Sequence, residues 1–105
     1  YFYDNRVAVI KITNEMISST GATEGDIEGL ASIPRAIEGV VIGVTIREKA
    51  DGGYKISLRA QPPQNASEIC AVFGGGGHAG AAGCTFNTTM EEAESLMLAE
   101  IGKHL

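Results

Sequence analysis

The chemistry in this chain of 105 residues is concentrated between Gly74 and Gly83, which read Gly-Gly-Gly-Gly-His-Ala-Gly-Ala-Ala-Gly. Consecutive glycines free the backbone for positive φ and leave N–H groups that no side chain covers, which is the description of an anion nest. Gly74, Gly75, Gly76 and Gly77 are the candidate nest, and His78 follows with a ring that donates a hydrogen bond in either charge state. The small residues Ala79, Gly80, Ala81 and Ala82 let the next turn pack close against a neighbouring element. Residues of these types in this order suit a phosphate.

Other uses of glycine fit less well. Flexible linkers are richer in serine and polar residues and run longer. Gly75 to Gly80 satisfies the dinucleotide pattern G-x-G-x-x-G, but that pattern follows a strand, whereas Ala66, Ile69, Cys70 and Phe73 are spaced as one face of a helix. No Gly-Lys-Ser/Thr follows, which excludes a nucleoside-triphosphate P-loop.

A second candidate group lies upstream. Val40 to Glu48 and Tyr54 to Ala60 alternate as strands, joined by an Asp51-Gly52-Gly53 turn into a hairpin. Arg47, Lys55 and Arg59 then share one face of the ribbon, a concentration in a chain with only eight Lys and Arg. A solvated face is the plain reading of such charges, but the phosphate loop favours a ligand. Arg59 carries the forked guanidinium that phosphate oxygens accept.

Gly74-Gly75-Gly76-Gly77-His78 with Ala81-Ala82-Gly83 resembles the signature of the DHHA1 domain, the C-terminal half of DHH-family phosphoesterases. Ser57-Leu58-Arg59 and the stretch from Gly21-Ala22-Thr23-Glu24 to Glu28-Gly29 extend the likeness over most of the chain. Within that superfamily it is most similar to the group of bifunctional oligoribonucleases and 3'-phosphoadenosine-5'-phosphate phosphatases, also labelled exopolyphosphatase-related.

The resemblance implies that Arg59 and His78 contact the substrate's phosphate, with Gly74 to Gly77 around it and Arg47 and Ser57 as secondary contacts. It implies no metal ligand in this chain. The Asp-His-His centre, with Mn²⁺ or Mg²⁺, belongs to an N-terminal domain absent here, so the isolated chain is expected to be inactive while the full-length hydrolase cleaves phosphoesters. His78 would act only by stabilising transition-state charge. The implied partners are a nucleotide or short single-stranded oligonucleotide and the N-terminal domain of the same protein, with a homodimer a further expectation. Two related readings stay open: a cyclic-dinucleotide phosphodiesterase, and an RNA-binding or dimerisation module like the end of alanyl-tRNA synthetase.

The length suits one small domain, residues 1–105, and an apolar fraction of 44% suits a packed core. A formal charge of -5 argues against a general nucleic-acid coat, so an anion must be met locally. Cys70 and Cys84 lack metal or disulfide spacing, alone or with His78 and His104, and read as reduced cytosolic thiols. No apolar run is long enough to span a bilayer and no signal peptide is visible, so the expected location is cytoplasmic.

The remaining elements follow from caps and periodicity. Tyr1-Phe2-Tyr3 and Arg6 to Thr13 read as strands around an Asp4-Asn5 turn, and this start inside a strand suggests the C-terminal piece of a longer protein. Thr13 or Asn14 caps a helix over Glu15 to Ser19, and Thr23 caps another that breaks near Ser32-Ile33 before Pro34 to Glu38. Glu24, Asp26 and Glu28 read as helix-start acids rather than catalytic carboxylates. Pro62 and Pro63 hold a connection extended, Asn65 caps a helix from Ala66 to Phe73, and Cys84-Thr85-Phe86 is a short strand. Thr88 with Glu91 makes a capping box for a last helix whose stripe is Met90, Ala93, Met97 and Ile101. The expected fold is α/β: a mixed sheet of about five strands with helices packed on it.

Overall fold

The computed structural model describes residues 2–3, 6–15, 21, 39–49 and 52–105. The expected turn residues Asp4, Asn5 and Asp51, and the expected helix or helices between Thr23 and Glu38 with their acids, lie outside them. Elements in order are β1 (Val7–Ile12), β2 (Ile42–Glu48), β3 (Tyr54–Ala60), α1 (Ala66–Ala71), β4 (Gly76–His78), β5 (Ala81–Phe86) and α2 (Met90–Gly102). The five strands form one mixed sheet in the order β1-β2-β3-β5-β4. β1 runs parallel to β2, and every other neighbour is antiparallel.

Alternation decides which face of the sheet is buried. On β2 and β3, Ile42, Val44, Ile46, Ile56 and Leu58 are essentially inaccessible, and they share a cluster with Ala66, Ile69 and Cys70 of α1 and with Ala93, Met97 and Ile101 of α2. Both helices therefore cover the same face. Lys55, Ser57 and Arg59 fall on the other, as their register positions require. No helix among the described residues is long and apolar enough to cross a membrane.

Several boundaries differ from the sequence reading. Phe2 meets Val7 in a single antiparallel bridge rather than a strand, because Tyr3 turns into the left-handed region at φ 54. The chain does reverse there, with the Arg6 N–H donating to the Tyr3 carbonyl at 3.2 Å. The Tyr3 hydroxyl then reaches across the molecule to the Leu98 carbonyl at 2.7 Å, and its ring lies against Gly102. Asn14 and Glu15 are helical, which leaves Thr13 at the cap position, and the Asn14 N–H is held by Glu48 Oε1 at 2.8 Å.

β2 begins at Ile42, not Val40, because the N–H groups of Val41 and Ile42 are taken by the Arg6 carbonyl. The hairpin turn is wider than Asp51 to Gly53: the Lys49 N–H donates to the Gly53 carbonyl at 2.7 Å and the Gly52 N–H to that of Lys49 at 3.1 Å. Gly52 sits at φ 93, a conformation that favours glycine. Pro62 and Pro63, joined by a cis peptide, do not hold the chain extended; the segment is a turn closed by the Gln64 N–H on the Gln61 carbonyl at 3.0 Å.

Asn65 caps α1 as expected, accepting from the Glu68 N–H at 3.1 Å. The helix ends at Ala71, before Phe73, because Gly74 takes a left-handed step at φ 80. Phe73 packs instead against Phe86, with ring centroids 5.0 Å apart. The cap of α2 is Thr89, one residue later than expected, and its hydroxyl accepts from the Glu92 N–H at 3.2 Å. Thr89 with Glu92 repeats the Thr-x-x-Glu spacing of Thr88 with Glu91, and that one-residue shift leaves the Ala93, Met97, Ile101 stripe buried on the sheet.

Candidate functional site

The glycine run is two structures joined end to end. Gly74 and Gly75 close α1: their N–H groups donate to the carbonyls of Ala71 and Cys70 at 3.1 and 3.0 Å. Those two donors are therefore spent on the orphan carbonyls of a helix C-terminus. Gly76, Gly77 and His78 form β4, an edge strand paired with β5, where alternate N–H groups of a strand face outward. Ala81, Ala82 and Gly83 belong to β5 rather than to a turn, paired with β3 on one side and with β4 on the other.

Glycine is required at specific points of this junction. A Cβ on Gly75 would lie 2.2 Å from the Gly83 carbonyl oxygen and 2.6 Å from Cys84 Cβ. One on Gly77, at φ 151, would lie 2.7 Å from the Ala81 oxygen. Gly76 has open space around its would-be side chain.

Against this rim lies an open cleft of about 590 Å³. The sheet supplies its floor: Lys55, Ser57 and Arg59 from β3, with Ala81, Gly83 and Thr85 from β5, and Gly74 to Gly77 border it. Register fixes three cross-strand rows. Arg59 is opposite Ala81, which is opposite His78; Ser57 is opposite Gly83, which is opposite Gly76; Lys55 is opposite Thr85. Directly opposed residues share a face, so His78 stands in the row of Arg59, two strand spacings or about 10 Å away at the backbone.

The structure thus brings Arg59, Ser57 and Gly74 to Gly77 to one cleft. His78 is exposed on the sheet edge beside it and does not line it. Arg47 is opposite Lys55, half-buried and engaged within the fold, and also lies outside the lining. Lys55 and Thr85 were not singled out as ligand contacts from the sequence. Lys55 was readable as a cation on the Arg59 face, whereas Thr85 required the register of β5 on β3.

Electrostatics distinguish this cleft from the rest of the molecule. Among the described residues its lining holds two cations and no acidic side chain, in a chain of net charge -5. Arg59 is half-buried, and Nη1 makes one long hydrogen bond to its neighbour's carbonyl, Leu58 O, at 3.4 Å, which leaves the other N–H groups of the guanidinium for a ligand. Among the described residues no helix N-terminus contributes, because the loop follows the end of α1. Of the described side chains, Lys55 and Arg59 carry the attraction for an anion.

Behind the cleft, Cys70 and Cys84 are buried free thiols. The hydrogen bond with Cys70, and burial after it, push the Cys84 thiol well up, so it stays protonated and unreactive. His104 lies away from the cleft on Glu100 Oε2 at 3.0 Å. Among the described residues no three His, Cys, Asp or Glu gather as a metal site, and the donors that line the cleft do not suit a divalent cation.

A family model for the DHHA1 domain matches residues 4–104, nearly the whole chain. The chain belongs to the DHHA1 family. Over 74 residues, the domain is 35% identical to the bifunctional oligoribonuclease and PAP phosphatase NrnA of Thermus thermophilus, covering 70% of this chain and 22% of that protein. A crystal structure of an exopolyphosphatase-related protein from Bacteroides fragilis superposes with a TM-score of 0.86 at 32% identity, over 98% of this chain and 31% of that one. A pGpG-specific phosphodiesterase from Vibrio cholerae shares the fold, with a TM-score of 0.61 at 18% identity over 98% of the domain and 34% of its own length. The DHHA1 domain thus spans about a fifth to a third of the proteins it matches, and the activities in their names are those of hydrolases.

Proposed function

We propose that this domain holds the phosphate of a nucleotide or short oligonucleotide for hydrolysis by a separate, metal-bearing DHH domain of the same cytoplasmic protein. The observation that carries the reading is the cleft with Arg59 and Lys55 on its floor and no acid among its described lining residues, in a chain of net charge -5. Arg59 binds phosphate oxygens through its unengaged N–H groups, with the backbone of Gly74 to Gly77 along the rim. His78, in the row of Arg59 at the sheet edge, meets the same phosphate once it is seated and stabilises charge that develops on it. The name of the Thermus relative supports a nucleotide or oligoribonucleotide as the ligand.

A divalent metal, Mn²⁺ or Mg²⁺, would supply the activated water. The described residues of this chain do not fit it, so the reading gives the metal to the other domain, and this chain alone is expected to turn over no substrate.

The test is an amide NMR titration of the chain with adenosine 3',5'-bisphosphate and with inorganic phosphate. Shifts centred on Arg59, Gly76 and Gly77, with ring shifts at His78, are expected, and Arg59→Ala should abolish them. Shifts that ignore Arg59→Ala, or fall elsewhere on the domain, would overturn the reading.

A further inference from the structure

Behind the glycine rim the core holds a pair of groups that the phosphate reading leaves unused. Cys70 near the end of α1 and Cys84 in β5 are buried free thiols, and they hydrogen-bond to one another. The backbone of Gly75 lies across both: its N–H donates to the Cys70 carbonyl at 3.0 Å, and a Cβ on it would lie 2.6 Å from Cys84 Cβ. Cys84 also belongs to the wall of the cleft. A single glycine thus separates the thiol pair from the space where a ligand sits. The two thiols are not equivalent. The hydrogen bond from Cys84, outweighing burial, holds the Cys70 thiol below its usual range and raises its share of thiolate, the form that reacts with oxidants. Cys84 keeps its proton and is inert alone, but it stands in contact with whatever Cys70 becomes.

We propose that Cys70 and Cys84 form a redox switch for the cleft: hydrogen peroxide, entering through the cleft, converts them to a disulfide that draws the end of α1 onto β5 and displaces the glycine rim. The Cys70 thiolate attacks one peroxide oxygen, the O–O bond breaks, and a sulfenic acid forms as hydroxide leaves and takes up the proton that Cys70 had lost. The Cys84 sulfur then attacks the Cys70 sulfur, the S–O bond breaks, and the oxygen departs as water with the Cys84 proton. The thiols give up two electrons and the peroxide becomes two waters. A covalent bond holds sulfurs closer than a hydrogen bond does, and Gly75 is packed hard against Gly83 and Cys84, so the rim shifts as the bond forms. The effect on ligand binding rests on the phosphate reading of the cleft; the disulfide itself does not.

The experiment treats the folded chain with hydrogen peroxide, then unfolds it in iodoacetamide and weighs it, with Cys70→Ala and Cys84→Ala alongside. The intact chain is expected to lose two hydrogens and both alkylation sites and to regain them with dithiothreitol, while neither variant forms a bond within the chain. Amide NMR of the oxidised chain should show shifts at Gly74 to Gly77, and inorganic phosphate should bind it several-fold more weakly than the reduced chain. Full alkylation after peroxide, or a disulfide that appears only when urea precedes the oxidant, would overturn the proposal. So would a disulfide that leaves the amides of Gly74 to Gly77 where they were. If the reduced chain binds no phosphate, the phosphate reading falls, and the mass and the rim shifts still decide the switch.

Discussion

The two faces of β3 treat charge in opposite ways. On the covered face Ile56 and Leu58 are fully buried, and around the helices packed there each described lysine is matched: Lys11 Nζ to Glu94 Oε2 at 3.0 Å, and Lys103 Nζ to Glu100 Oε1 at 3.5 Å. On the open face Lys55 and Arg59 face a cleft whose described lining holds no carboxylate. One face spends its residues on the fold, and the other withholds its cations from it. Charge that a protein leaves unmatched over a concave surface is charge available to a ligand.

Substitutions at adjacent positions of β3 break this comparison most sharply. Leu58→Ala opens a cavity in the core and should lower unfolding free energy by about 2–5 kcal/mol. Arg59→Ala, one residue on, should change stability by less than about 0.5 kcal/mol in urea unfolding, yet abolish phosphate binding. Comparable losses of stability at the two positions would mean that Arg59 serves the fold.

The same contrast recurs inside the glycine run with a smaller effect. A methyl group on Gly75 collides with the Gly83 oxygen and Cys84 Cβ, whereas Gly76 has room. Gly75→Ala is expected to destabilise by about 1–3 kcal/mol, and Gly76→Ala to stay within about 0.5 kcal/mol. Equal effects would erase the division between the glycines that close α1 and those of the edge strand.

The smallest effect belongs to the matched charges. The hydrogen bond from His104, followed by the charge of Lys103, holds the Glu100 carboxyl below the usual carboxylate range. A carboxyl depressed in the folded state stabilises above its unfolded pKa, about 4.3, and that contribution is lost as pH falls through the folded value. Relative to His104→Ala, the wild-type chain should therefore be more stable near neutral pH, with the difference shrinking as denaturation is repeated below about pH 4. A difference that fails to shrink below about pH 4 would contradict the assignment.

Much of the open face was legible in the sequence because strand alternation is local. Tyr54 to Ala60 announces its two faces by period alone, and Arg59 stands out on the polar one. The glycine run was legible as chemistry but not as geometry. Glycine carries no propensity that separates loop from strand, and β4 exists because β5 offers Ala81, Ala82 and Gly83 to pair with, which is a tertiary fact. The end of α1 misled for a related reason: Phe73 continues the helical spacing, but its ring is claimed by Phe86 after the chain has turned at Gly74. At α2 two threonines were equally competent caps, and packing of Met97 and Ile101 chose between them.

The contact of Tyr3 with Leu98 and Gly102 governs how anything tethered to this domain would approach its ligand. It brings the beginning of the described chain onto the last helix, which covers the sheet face opposite the cleft. A segment joined near Tyr3 therefore departs from the far side of the sheet from the cleft. To meet the ligand it must travel around a sheet edge, so the length and stiffness of the tether set the effective concentration at which a second domain reaches the cleft.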